Sequence, residues 1–340
     1  MRPITWAGQM GIRRRLYSGL AVALLVCVAA ASAINRSEAV EAALRAFADG
    51  EYSRAVQILQ AASSAEPANA EIHLLLAKSF FEMQEFERAS DSAEKAVAID
   101  PRSSVSHEWL GRSYGERADR AGWFAAIALA KKARREFVTA VDLDEHNFSA
   151  MQALIEFDCS APGIVGGGED KAAKEIERIA ALDAAEGHYG RGNCRRQKKD
   201  FAVTDEEFTK ALQSNPKSVD LVYDIGDYAM KRDQAERLVS VIETGERLDV
   251  KDPRGKFYRA VVSILRGQQL ADADKSIREY LSRVPRRSSY PSPSMAHYWL
   301  GRLYEQQQST SQAVSEYETA LKLDPKNRYA NEARKRTKKQ

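Results

Sequence analysis

The sequence predicts an all-α fold: an α-solenoid of about eight helical hairpins closed by a C-terminal capping helix. Two observations carry this. Pro67 and Pro101 lie 34 residues apart, and the run before each repeats the same side-chain types. In the second copy, Ala70-Glu-Ile-His73-Leu-Leu-Leu76-Ala77-Lys-Ser-Phe80 is followed by Phe86, Ala89, Ala93 and Ala96, then by Asp100-Pro101. A 34-residue period marks a helix–turn–helix repeat, whose units bury a continuous core only by stacking on their neighbours.

The N-terminus is a separate element. Arg13, Arg14 and Arg15 precede Leu20-Ala-Val-Ala-Leu-Leu-Val26, and Ala31-Ser32-Ala33 follows. A basic region, an apolar core and small residues at a cleavage site are the layout of a secretory signal, so residues 1–33 are expected to be removed after Ala33. The alternative is a retained inner-membrane anchor over residues 16–33, a stretch barely long enough to span a bilayer. The remainder, 34–340, is then exported, periplasmic or secreted, and touches a membrane only through that segment if it stays uncleaved. Its loss removes four arginines and no acid, leaving 47 basic against 48 acidic residues, a net charge of −1. Such a balance asks for no nucleic acid.

The hairpins are expected near 36–69, 70–103, 104–147, 148–184, 185–218, 219–252, 253–287 and 294–327, with a cap over 328–340. The first carries Gly50, Tyr52, Ala55, Ala62 and Pro67 in register with the second. The third opens on Trp109-Leu110-Gly111 and Tyr114, but its closing helix arrives ten residues late, at Ala133, Phe137 and Ala140. The apolar stretch Ala121–Ala130 between them reads as a lengthened hairpin packed on its neighbours. The fourth is interrupted by Ala161-Pro162-Gly163-Ile-Val-Gly166-Gly167-Gly168, read as a flexible connecting loop. A linker, Ser288–Pro293, precedes the eighth, because two prolines among serines cannot continue a helix. The eighth copy is the most regular, with Tyr298-Trp-Leu300-Gly301, Tyr304, Ala313, Tyr317 and Asp324-Pro325.

These slots resemble the tetratricopeptide repeat (TPR) family across essentially all of 36–327, most specifically in the second and eighth copies. The Ala161–Gly168 stretch, with Ala130-Lys-Lys-Ala133 before it and Gly187-His188 after it, resembles a subgroup of exported bacterial TPR proteins of unassigned function. The resemblance implies a right-handed TPR superhelix and a binding role, and it names no ligand.

Nothing in the sequence calls for catalysis, a metal or a cofactor. His73, His107, His188 and His297 share one slot, three residues before Leu76-Ala77 and its counterparts, and lie a whole repeat apart. They are too far from one another to share a metal at bonds of roughly 2 Å. They read as packing residues. Cys159 and Cys194 are one repeat apart; helix axes about 8–10 Å from each other favour two buried free thiols over a disulfide.

The first helix of each hairpin is expected to line the concave face. There Tyr189, Tyr223, Tyr258 and Tyr298 form a column, with Asn193, Asp227 and Arg302 a turn further on and Arg196 nearby. Aromatic side chains and arginine most often anchor interfaces. The expected function is therefore a non-catalytic protein–protein interaction scaffold of the bacterial cell envelope, with a protein or peptide partner on that face. The alternative is an accessory protein holding a small molecule or glycan for an exported enzyme.

Overall fold

A computed structural model describes residues 38–284 and 286–338. The expected signal or anchor over residues 1–33 lies outside the described residues. Among these there are only helices, paired in chain order. They are α1 (38–48) with α2 (Tyr52–Ala65), α3 (Ala70–Glu82) with α4 (Phe86–Ile99), and α5 (Ser104–Ala118) with α6 (Trp123–Leu143). Next come α7 (Phe148–Ser160) with α8 (Glu169–Leu182), and α9 (Ala184–Gln197) with α10 (Phe201–Gln213). The array ends with α11 (Val219–Lys231) and α12 (Ala235–Leu248), α13 (Pro253–Arg266) and α14 (Leu270–Arg283), α15 (Pro293–Gln306) and α16 (Thr310–Leu323), and the lone α17 (Arg328–Thr337). The result is an all-α solenoid of the TPR kind.

Local chemistry sets these boundaries. Helices α3, α5, α7, α9, α11, α13, α15 and α17 each start behind an Asn, Ser or Asp whose side chain accepts from the first-turn amides. Such a cap is worth about 1 kcal/mol. At three junctions between hairpins and at the one before α17 an aspartate side chain accepts from the amide two residues on, as Asp100 does from Arg102 at 3.1 Å and Asp324 from Lys326 at 2.9 Å. That turn explains the Asp-Pro spacing.

Within a hairpin, a glycine on the first helix receives the aromatic ring of the second. A Cβ on Gly111, Gly192 or Gly301 would lie 2.7, 2.5 or 2.3 Å from ring carbons of Phe137, Phe208 or Tyr317. Ala77 fills the same slot in the second hairpin, where the facing residue is the small Ala93, also wholly buried. The buried core runs along the array through such contacts, from Ala43 to Ala333.

Three findings differ from the expectations. The first concerns α6, which starts fourteen residues before Phe137, whereas α10 and α16 start seven before Phe208 and Tyr317. The extra two turns, about 10 Å of helix, lengthen the hairpin with Ile127 half-buried and Leu129 packed on the core, but their tip overhangs: Trp123 is 71% and Phe124 86% exposed. The second is the glycine-rich stretch after α7, which is a fixed turn. Arg134 grips Asp158 through two bonds of 2.7 and 3.0 Å, the Gly168 amide donates to the Asp158 carbonyl, and Lys171 donates to the Gly166 carbonyl.

The third is the cysteine pair, for Cys159 and Cys194 form a disulfide with their Cα atoms 5.4 Å apart. The axis-to-axis spacing misled, because Cα atoms facing each other stand about 2.3 Å inside each axis. Gly190 also lets α9 approach α7: a Cβ there would already touch Gln152 and Ile155.

Candidate functional site: the face of the first helices

The seven tyrosine, arginine and aspartate residues singled out in the sequence fall into three clusters along α9, α11, α13 and α15. In the first, the Tyr189 hydroxyl donates to Asp224 Oδ2 at 2.9 Å, and the Arg196 guanidinium donates to the same oxygen at 3.1 Å. Burial, followed by the Asp224 charge, holds the Tyr189 hydroxyl well above its ordinary pKa. Tyr189 and Arg196 are half-buried, so this cluster meets solvent.

The second cluster joins Tyr223, Tyr258 and Asp227. The Tyr258 hydroxyl donates to Asp227 Oδ1 at 2.6 Å and to the Tyr223 carbonyl at 3.2 Å. The two rings stack at 5.7 Å, and the Arg254 guanidinium lies 4.6 Å from the Tyr223 ring centre. Gly245 and Gly255 make room for the Tyr223 hydroxyl, since a Cβ on either would lie within 2.8 Å of it. Both tyrosines are enclosed, at 1% and 0% exposure, and only Asp227 reaches the surface. Burial raises the Asp227 carboxyl above its usual range, against the opposing pull of Lys231 and the Tyr258 hydroxyl. It pushes the Tyr223 hydroxyl up to about 12, with Asp252 adding to the shift.

The third cluster is Tyr298 and Arg302. Arg302 donates to the Tyr298 hydroxyl at 3.1 Å, reaches back to Asp233 at 3.0 and 3.2 Å, and lies over the Trp299 ring. Tyr298 is buried, and Arg302 keeps one edge in solvent. Each cluster therefore ties one hairpin to another. A partner on this face would meet charged edges, Arg196, Asp224, Asp227 and Arg302, in front of a wall of tyrosine rings.

Asp224 and Asp233 were missed in the sequence. Asp224 lies 35 residues after Tyr189, one repeat on, and that spacing was the available signal. A second missed pattern pairs the histidines with glutamates of the closing helix. His188 Nδ1 meets Glu207 at 2.9 Å and His297 Nδ1 meets Glu316 at 2.6 Å, each 19 residues on, while His107 Nδ1 meets Glu136 at 2.7 Å across the longer hairpin. In the second copy, Ser92 stands where that glutamate would be, and His73 bonds only the Pro67 carbonyl. Among the described residues no group of three or more His, Cys, Asp or Glu is placed to hold a metal, and no helix is long and apolar enough to cross a membrane.

Stacked hairpins with a small residue facing an aromatic ring and a tyrosine column define a TPR solenoid. The tetratricopeptide repeat family matches residues 46–107 and again 294–327, so the chain carries repeats of that family near both ends of its array. Its fold is that of protein–protein interaction scaffolds. No curated protein matches the sequence. Among solved structures, yeast Tom70 is similar at a TM-score of 0.54 and 14% identity, over 86% of this chain and 59% of that one. A tetratricopeptide repeat protein from Parabacteroides merdae aligns at a TM-score of 0.44 and 13% identity, over 89% of this chain and 98% of that one. At 14% identity the likeness to Tom70 is one of fold.

Proposed function

We propose that the protein is a non-catalytic interaction scaffold of the bacterial cell envelope, holding a peptide segment of a partner on the concave face of α9, α11, α13 and α15. The observation that carries this is the row of charged edges Arg196, Asp224, Asp227 and Arg302, held in place by hydrogen bonds with tyrosines and neighbouring acids. Side chains already fixed by hydrogen bonds lose little freedom when a partner binds. Extended or helical peptides are the usual occupants of such surfaces. Export is supported by the signal pattern of residues 1–33 and by the Cys159–Cys194 bond, since disulfides persist in oxidising compartments.

The test is crosslinked affinity capture from the envelope fraction with the exported chain, beside the double variant Arg196→Glu, Arg302→Glu. The captured partner should be lost from the variant while its helicity is unchanged. Equal capture by both proteins would sink the reading. Tyr223 and Tyr258 are poor probes, because truncating an enclosed aromatic to alanine costs about 3–5 kcal/mol of stability.

A further inference from the structure

The two departures from the repeat, the overhang of α6 and the turn after α7, meet on one edge of the solenoid. Between them lies a groove of about 520 Å³, within the range of volumes that hold a ligand. Its walls are largely apolar: Trp123 and Ile127 from α6, Phe157 from α7, and Ile164 from the turn. Ile164 is 60% exposed although the next residue, Val165, is buried. The turn that presents it is rigid. Besides the Arg134–Asp158 grip, Gly167 leaves no room for a side chain, as a Cβ there would lie 2.1 Å from the Ala161 carbonyl oxygen. One exposed apolar side chain is ordinary, but Trp123, Ile127, Phe157 and Ile164 gathered in one concave groove mark a contact surface.

The charges in the groove are one-sided. Glu116, Asp119 and Glu156 line it against Arg112 alone, and Arg112 is occupied by Glu108 and Ser149 at 2.9 Å each. Glu116 pairs with Arg120 on the rim. Asp119 and Glu156 have no side-chain hydrogen bond or ion pair. Glu156 is exposed to solvent, and the protein around it raises its pKa against the pull of Arg196 and Arg112. An exposed carboxylate without a partner beside an apolar wall can take a cation that arrives next to an apolar group.

We propose that this groove is a second peptide site, distinct from the α9–α15 face, and that it takes a partner segment carrying a large apolar side chain next to a lysine or arginine. The apolar side chain enters between Ile127, Phe157 and Ile164, and the cation pairs with Glu156. An anionic membrane is the competing occupant, because Trp123 and Phe124 stand exposed with Lys131 and Lys132 further along the same helix. The three acids of the groove argue against it.

The test selects a random dodecapeptide library displayed on phage against the exported chain. Synthetic copies of the selected peptides are then titrated by fluorescence anisotropy. The selected peptides should pair a large apolar residue with an adjacent Lys or Arg. Their dissociation constants should rise about tenfold or more with Glu156→Gln, Ile127→Asp and Ile164→Asp, and stay unchanged with Arg302→Glu. Ile164 is on the surface, so its variant stays informative if Ile127→Asp fails to fold. Enrichment of peptides lost only with Arg302→Glu would overturn this site and leave the α9–α15 scaffold standing. No enrichment at all would overturn this site and count against the scaffold as well. A blue shift of tryptophan emission on vesicles of phosphatidylglycerol, abolished by Trp123→Ala and absent with phosphatidylcholine, would overturn it in favour of a membrane-binding edge.

Discussion

Tyr52 and Arg286 stand 234 positions apart and are joined by a hydrogen bond of 2.6 Å, from the tyrosine hydroxyl to the arginine carbonyl. The bond belongs to a seam. Arg287 donates to the Ala48 carbonyl at 2.8 Å, and the amide and hydroxyl of Ser288 donate to Glu82 at 2.8 and 3.0 Å. The segment between the seventh and eighth hairpins thus closes on the first two, beside a cavity of about 730 Å³ lined by the second, third, seventh and eighth hairpins. A solenoid held mainly by contacts between adjacent units acquires a contact between its ends.

That seam should open selectively. Each of its hydrogen bonds contributes about 1 kcal/mol, and slightly more where Glu82 accepts with a full charge. The double variant Tyr52→Phe, Glu82→Ala should expose the Ser288 amide, with hydrogen exchange there about tenfold faster or more. Exchange in α9–α12 should be unchanged, because distant repeats are coupled only through intervening neighbours. Unaltered exchange at Ser288 would mean that the ends do not meet in solution.

Two glycines with opposite surroundings make a paired prediction. A Cβ at position 301 would lie 2.3 Å from the Tyr317 ring, whereas one at Gly115 on α5 meets nothing within 4 Å. Gly301→Ala should therefore destabilise the protein by about 1–3 kcal/mol through overpacking. Gly115→Ala should stabilise it by up to about 1 kcal/mol, since alanine is the better helix former. Chemical denaturation of both variants beside the parent checks the sign of each.

The same glycines show how far the fold was legible. Gly111 and Gly301 are readable because helix packing imposes a small residue opposite a large one at a fixed spacing, and a 34-residue period exposes it. The tyrosine column was readable as a row of equivalent positions. Its depth was not, because the space enclosing Tyr223 is made by Gly245 and Gly255, two glycines outside the repeat pattern. The groove at Glu156 was legible only as two breaks in the period. Which way α6 would overhang depends on whether the added residues lengthen the helix or the turn, and length alone does not decide that. The seam depends on the curvature summed over seven hairpins, which no local pattern encodes.

The histidine–glutamate pairs predict an acid-sensitive array. Burial raises the carboxyls of Glu207 and Glu316, but hydrogen bonds outweigh it. His188, Arg191 and Lys210 hold Glu207, and His297 with Arg278 holds Glu316, each below the usual glutamate range. A carboxylate whose pKa is lower in the folded state stabilises the fold fully above its unfolded value of about 4.3. That contribution is lost as pH falls through the lower folded value. Melting temperature should thus drop steeply below about pH 4, and less steeply in the variant Glu207→Gln, Glu316→Gln, which should itself melt lower at pH 7. An equal acid slope in parent and variant would remove these pairs as its cause.

Reduction of Cys159–Cys194 isolates what one covalent tie adds to a stack that is otherwise held by packing. The bond closes a loop of 35 residues between α7 and α9. Loop closure of that length stabilises by about 3–4 kcal/mol through the entropy removed from the unfolded chain. In a solenoid this acts on the fourth and fifth hairpins before the rest, because stability is nearly a sum over units and their interfaces. Dithiothreitol, or the substitution Cys194→Ser, should lower the midpoint of denaturant unfolding and speed hydrogen exchange in α7–α10 first. Gln152 on α7 donates to the Glu186 carbonyl and carboxylate on α9 at 2.9 and 2.7 Å, and this tie holds without the sulfurs, so the reduced protein should remain folded at 25 °C. A protein that unfolds outright on reduction would show that the interface between these hairpins rests on the disulfide rather than on the Gln152–Glu186 bonds.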